Sequence, residues 1–117
     1  SLAQALQALG RLAPADALRV AIDAADGLAA AHAAGVLHRD VKSGNILVDQ
    51  DGRAVLCDLG LARAADRTRM TRSGALLGTP AYVAPEVVLG EPARPESDVY
   101  GLGVVLYEAL TGSLPFQ

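Results

Sequence analysis

The stretch HRDVKSGN, residues 38–45, gathers an imidazole, a guanidinium, a carboxylate, an ammonium and an amide into one short run directly after an alanine-rich segment. Asp40 and Asn45, with Asp58 a little further on, supply carboxylate and amide oxygens. Oxygen donors of this kind suit a hard cation, Mg²⁺ above all. Lys42 places a positive charge beside them. A magnesium site, a lysine and a free carboxylate together point to the handling of phosphate. The plain reading of any one of these residues is a polar loop that caps the preceding helix, so the set carries weight and its members singly do not.

The flanking elements must bring this set together. ILV at 46–48 and RAVLCD at 53–58 are two short apolar runs on either side of DQDG, the sequence form of a β-hairpin with glycine ending its turn. Asn45 precedes the outgoing strand and Asp58 follows the returning one, so pairing of the strands predicts both side chains at the same open end. Upstream, LAQALQAL at 2–9 reads as a helix ended by Gly10, the residue that most easily takes a left-handed C-terminal conformation. Pro14 suits the first turn of a second helix over 14–34, closed by Gly35. Along it Leu18, Ile22, Ala25, Ala29 and His32 recur at spacings of three and four while Asp16, Arg19, Asp23 and Asp26 fall on another face, the pattern of an amphipathic helix. His32 reads there as a surface or packing residue. Residues 60–80 are rich in Gly, Arg, Thr and Ser and read as a long loop, of a length that is usually functional. A third helix is predicted over 97–111, with Ser97 or Asp98 as N-cap and a stop at Gly112. Its apolar residues fall on nearly every face, so it is expected to lie buried in a larger protein.

Composition narrows the partners. The chain has 117 residues, 51% hydrophobic and 20% charged, with net charge −3, which excludes disordered and collagen-like classes. Its mild acidity disfavours nucleic acid, which calls for a basic surface. Cys57 is the single cysteine, so no intrachain disulfide forms and a reduced, cytoplasmic setting is expected. The longest apolar stretch lies between Asp98 and Glu108, too short for the roughly 20 residues that cross a bilayer. A membrane anchor is therefore not expected within the chain.

HRDVKSGN, DLG at 58–60, GTPAYVAPE at 78–86 and SDVYGLGVVLYEALTG at 97–112 resemble the eukaryotic-type protein kinase family in motif content, order and spacing. The wording AHAAGVLHRDVK and GTPAYVAPE resembles its bacterial serine/threonine branch. The resemblance runs the length of the chain and implies an α+β fold: a mainly helical C-lobe fragment with a small hairpin at the catalytic loop 38–45, an activation segment over 58–86, and no N-lobe. It implies ATP and Mg²⁺ as cofactors and protein serines and threonines as acceptors, the known template of this chemistry. Asp40 would orient the substrate hydroxyl, Lys42 would neutralise the transferring phosphoryl oxygens, and Asn45 and Asp58 would hold Mg²⁺. Thr79 would bridge Asp40 and Lys42, and together with Lys42 it marks serine/threonine specificity. Leu47 would lie beneath the adenine ring. His38 and Leu59 would belong to an apolar spine, Asp98 would accept hydrogen bonds from the catalytic-loop backbone, and Leu76, Leu77 and Gly78 would line the substrate floor.

Arg39 is the residue that in this family pairs with an activation-loop phosphate. Thr71 and Ser73 are the expected phosphoacceptors, with Thr68 behind them, modified by autophosphorylation between self-associating copies. Three departures stand out. Leu59 replaces the usual phenylalanine, which is expected to alter switching and to leave the chemistry intact. Ser43 replaces a common proline, which removes preorganisation of about 0.4 to 1 kcal/mol. Glu86 would lack its arginine partner, and an unpaired buried carboxylate costs about 3 to 5 kcal/mol. The Gly-rich loop, the strand lysine and the hinge are not found in the 117 residues, so the chain reads as a catalytic-core fragment with negligible activity of its own. The rival from another class is a pseudokinase, a scaffold that keeps the fold without the chemistry. A small-molecule phosphotransferase is disfavoured by Lys42 and by the APE at 84–86.

Overall fold

The computed structural model describes residues 1–58 and 79–116. The first helix, α1 (Leu2–Leu9), starts on a capping box: the Ser1 hydroxyl accepts from the Gln4 amide and the Gln4 side chain accepts from the Ser1 amine. These bonds satisfy donors that a helix start leaves open. The second, α2 (Pro14–Ala33), begins on a proline at its first position, where the missing N–H costs nothing. Leu2 and Leu6 of α1 and Val20, Ala24 and Leu28 of α2 enter the core with Val41, Ile46, Ala54 and Val105.

The stripe that faces this core is not the one the sequence suggests. Ala17, Val20, Ala24 and Leu28 are buried, whereas Leu18 is 55% and Ile22 50% exposed. The two stripes differ by one or two positions, and alanines make both of them apolar. Packing decides between them, because α2 lies against both a strand and the last helix, and small side chains let them approach. A β-carbon placed on Gly27 would stand 4.0 Å from that of Leu56.

A hairpin follows, with β1 (Ile46–Val48) antiparallel to β2 (Ala54–Leu56) and Leu47 opposite Val55. Its turn is closed by Asp49, whose Oδ1 accepts from the amides of Asp51 and Arg53 at 2.9 Å each, and by Gly52 at φ 83°. Two α2 side chains fasten it from below. Arg19 donates to the Asp51 carbonyl at 2.9 Å, and the Asp23 carboxylate accepts the outward-facing Ala54 amide at 3.0 Å.

Beyond a short helix, α3 (Pro85–Val88), the chain enters α4 (Pro95–Thr111). Its N-cap is Arg94, not Ser97 or Asp98: Pro95 takes the first helical position, and Ser97 at the third accepts the Arg94 amide at 3.0 Å. Proline suits that first position, where its missing N–H would have no partner in the helix. Gly112, in the left-handed conformation at φ 80°, ends α4. At its middle, a β-carbon on Gly101 would stand 3.1 Å from both the carbonyl oxygen and β-carbon of Val41. Glycine there lets the loop 38–45 rest directly on the helix.

Candidate active site

Asp98, in the first turn of α4, is 4% exposed. A buried carboxylate is costly unless donors surround it. Its Oδ2 accepts the His38 amide at 2.8 Å and its Oδ1 the Arg39 amide at 2.9 Å, and the His32 Nε2 proton is donated to Oδ2 at 2.8 Å. The second donor, Arg39, lies in the left-handed region at φ 74°. A non-glycine residue in that region costs about 1 to 2 kcal/mol, which the bonds to Asp98 offset. His32, read from the sequence as a surface or packing residue, packs here as a third support of this hub. Its signal was a lone ionisable group in the last turn before the loop.

His38 is fully buried and joins the loop to the hairpin. Its Nδ1 accepts the Asp40 amide at 3.1 Å, so the proton resides on Nε2, which donates to the Cys57 carbonyl at 2.6 Å. One ring therefore fixes both the backbone of Asp40 and the residue before Asp58. The last rung of the hairpin, Cys57 N–H to Asn45 carbonyl at 2.8 Å, leaves Asn45 and Asp58 at its open end. Asp58 is exposed, with φ 65°. The buried Asn45 amide donates from Nδ2 to the Asp40 carbonyl at 2.8 Å and to Asp40 Oδ2 at 3.2 Å. Its Oδ1 is the atom not committed to Asp40.

Lys42 lies over the same carboxylate, 3.6 Å from Asp40 Oδ2, and donates to Thr79 Oγ at 3.1 Å. Thr79 touches Lys42 and makes no hydrogen bond to Asp40, so the expected bridge is carried by the lysine alone. Ser43 is buried and bonded to Tyr82 at 3.1 Å, and Tyr82 donates to Glu108 Oε1 at 2.6 Å. Burial, reinforced by that bond to Glu108, pushes the Tyr82 phenol up to about 12. Sequence reasoning missed Tyr82 and Glu108 as partners of the loop.

Glu86 is not unpaired. It is half-buried, and the Ser97 hydroxyl donates to its Oε2 at 3.2 Å, so the expected penalty of a bare carboxylate does not arise. Leu47 and its neighbour Val55 are both exposed and form an apolar patch on the hairpin. Cys57 is half-buried and donates to the Asn45 carbonyl at 3.1 Å. Burial first, then the Asp58 charge, raises its thiol above the ordinary value, which lowers its reactivity. Leu59, Thr68, Thr71, Ser73, Leu76, Leu77 and Gly78 lie outside the described residues.

The donor set fits Mg²⁺ by its chemistry. Asn45 and Asp58 supply hard oxygens, and the described residues contain no cluster of three His, Cys, Asp or Glu able to cage a metal. Mg²⁺ needs no such cage, since it keeps waters and substrate phosphates and takes only one or two protein carboxylates.

The chain belongs to the protein kinase domain family, which matches it over residues 1–117. It is 52% identical to the serine/threonine-protein kinase PkaB of Streptomyces coelicolor over 91% of its length and 27% of that protein's. To PknA of Mycobacterium tuberculosis it is 48% identical, over 95% of the chain and 26% of the relative. To PknL of the same species it is 54% identical, over 77% of the chain and 23% of the relative. The chain thus spans about a quarter of the length of these relatives. No helix among the described residues is long and apolar enough to cross a membrane.

Proposed function

We propose that the protein carrying this chain is an ATP-dependent serine/threonine protein kinase of the cytoplasm, and that these residues form the first part of its C-lobe. The carrying observation is the convergence of Asn45 and Lys42 on one carboxylate, Asp40. Asp40 accepts or orients the proton of the acceptor hydroxyl, with the Asn45 amide fixing its rotamer. Lys42, steered by Thr79, sets a positive charge where negative charge develops on the transferring group. Asn45 Oδ1 and the Asp58 carboxylate hold Mg²⁺, which when bound neutralises phosphate charge. Leu47 supplies an apolar seat for the base of ATP. Thr71 and Ser73 are proposed phosphoacceptors in autophosphorylation between copies, with Arg39 as the recipient of the phosphate.

Labelled ATP supplied to the full-length protein and to its Asp40→Asn variant tests the reading. Incorporation into serine and threonine is expected to fall by about a thousandfold or more in the variant, the scale seen when a positioned acid–base group acts within such a site. Equal incorporation overturns the assignment of Asp40, and nucleotide binding without transfer by the natural sequence favours the pseudokinase reading. Absence of phosphate from Thr71 and Ser73 in the active protein overturns the activation sites.

A further inference from the structure

Ser43 is 3% exposed, and a buried hydroxyl weakens a fold unless it finds a partner. The polarity of its bond follows from its neighbours. Glu108 Oε1 lies 2.6 Å from the Tyr82 hydroxyl and as a carboxylate only accepts, so the one phenolic proton points to Glu108. Toward Ser43 the phenolic oxygen is then an acceptor, and Ser43 must donate across the 3.1 Å separation. The result is a directed chain, Ser43 to Tyr82 to Glu108, ending on a charge. Such chains strengthen each link in turn.

Its endpoints give it a role. Ser43 follows Lys42, whose ammonium is bonded to Thr79. Tyr82 closes the 3₁₀ turn Pro80–Tyr82 that Thr79 caps, with its amide donating to the Thr79 carbonyl at 2.9 Å. Adjacent residues of the catalytic loop are therefore clasped to the two ends of one short turn. Gly101, which a β-carbon would bring to 3.1 Å from Val41 and 3.6 Å from the Tyr82 carbonyl, lets α4 support loop and turn together. We infer that Ser43 is a positioning residue: acting through Tyr82 and Glu108, its hydroxyl holds the 79–82 turn against the catalytic loop and so keeps Lys42 engaged by Thr79. The loop does not simply lose rigidity for want of a proline. It exchanges a local constraint for one that reaches across the site.

The kinetic consequence rests on the kinase reading; the structural one does not, and the test separates them. In the full-length protein, Ser43→Ala is expected to lower kcat for a peptide acceptor about fivefold, the scale of one net hydrogen bond, with the KM for ATP within about twofold. Ser43→Thr, which keeps the hydroxyl, restores at least half of the loss. In a Tyr82→Phe background Ser43→Ala adds nothing further, because its link is already cut. Amide hydrogen exchange at Tyr82 and Val83, read without any turnover, quickens severalfold in Ser43→Ala and Tyr82→Phe alike. Unchanged exchange, or a loss of kcat that is undiminished in the Tyr82→Phe background, overturns the inference. A natural sequence that transfers no phosphate overturns the kinase reading alone, and the exchange measurement still decides the clasp.

Discussion

Tyr82 shows how one proton can tie a loop, a turn and a helix together. Its phenol is half-buried between Ser43 and Glu108, and both burial and the carboxylate oppose a phenolate. The folded value of about 12 stands above the ordinary 10. The unfolded chain therefore releases this proton more readily than the native one. The stabilisation associated with the neutral phenol is present in full below about pH 10 and is lost as pH rises toward 12. An ultraviolet phenolate titration is expected to show one of the chain's three tyrosines ionising late, and Tyr82→Phe to abolish that late component. Ionisation of Tyr82 near its ordinary value sinks the idea that Glu108 is its charged acceptor.

At the scale of elements, the hairpin depends on α2 as much as on its own ladder. Asp23 holds an amide of β2 that would otherwise face outward unpaired, and Arg19 holds the turn carbonyl. Asp23→Ala in the complete kinase domain is expected to cost about 1 to 2 kcal/mol, as for a charge-assisted bond to a backbone amide, whereas Asp23→Asn keeps an acceptor and costs a few tenths. The exposed Arg19 contributes less, about 0.5 kcal/mol. Urea midpoints at constant slope measure these losses. Because the open end of the same hairpin presents Asn45 and Asp58, the proposed Mg²⁺ ligands, the Mg²⁺ concentration for half-maximal transfer should rise severalfold in Asp23→Ala; an unchanged requirement separates the clamp from that proposed site. The hairpin itself was legible in the sequence because ILV, DQDG and RAVLCD are local and each carries its own signal. The phase of α2 was not, since Leu18 and Ile22 outweigh Ala17 and Ala24 in hydropathy, while the face turned to the core is the neighbouring stripe of Ala17, Val20, Ala24 and Leu28. The cluster at 38–45 was likewise legible as a contiguous run. Its partners His32, Tyr82 and Glu108 were not, because only the tertiary fold brings them to it.

For the whole molecule, the described surface is more apolar than an independent domain would leave it. Leu18 and Ile22 line one face of α2, Leu47 and Val55 one face of the hairpin, and Val99 and Tyr107 stand out from α4. A further groove is lined by Pro80, Val83, Val88, Leu89, Tyr100 and Phe116. Contiguous patches of this kind ordinarily mark surfaces that another part of a protein covers, and the relatives are about four times as long as the chain. The 117-residue chain alone is therefore expected to bind an apolar dye strongly and to associate through these apolar faces, and the full-length protein to keep them from the dye. Leu18→Lys with Ile22→Lys distinguishes the two situations. In the short chain the lysines should suppress association with little loss of stability, because neither site is buried there. In the full-length protein the same pair should destabilise by about 2 to 5 kcal/mol or more, as buried leucines and isoleucines do when replaced, and calorimetry measures the difference. A full-length protein that tolerates both lysines without a drop in melting temperature leaves the α2 stripe as true surface, and the chain's association must then arise from the hairpin or α4 faces.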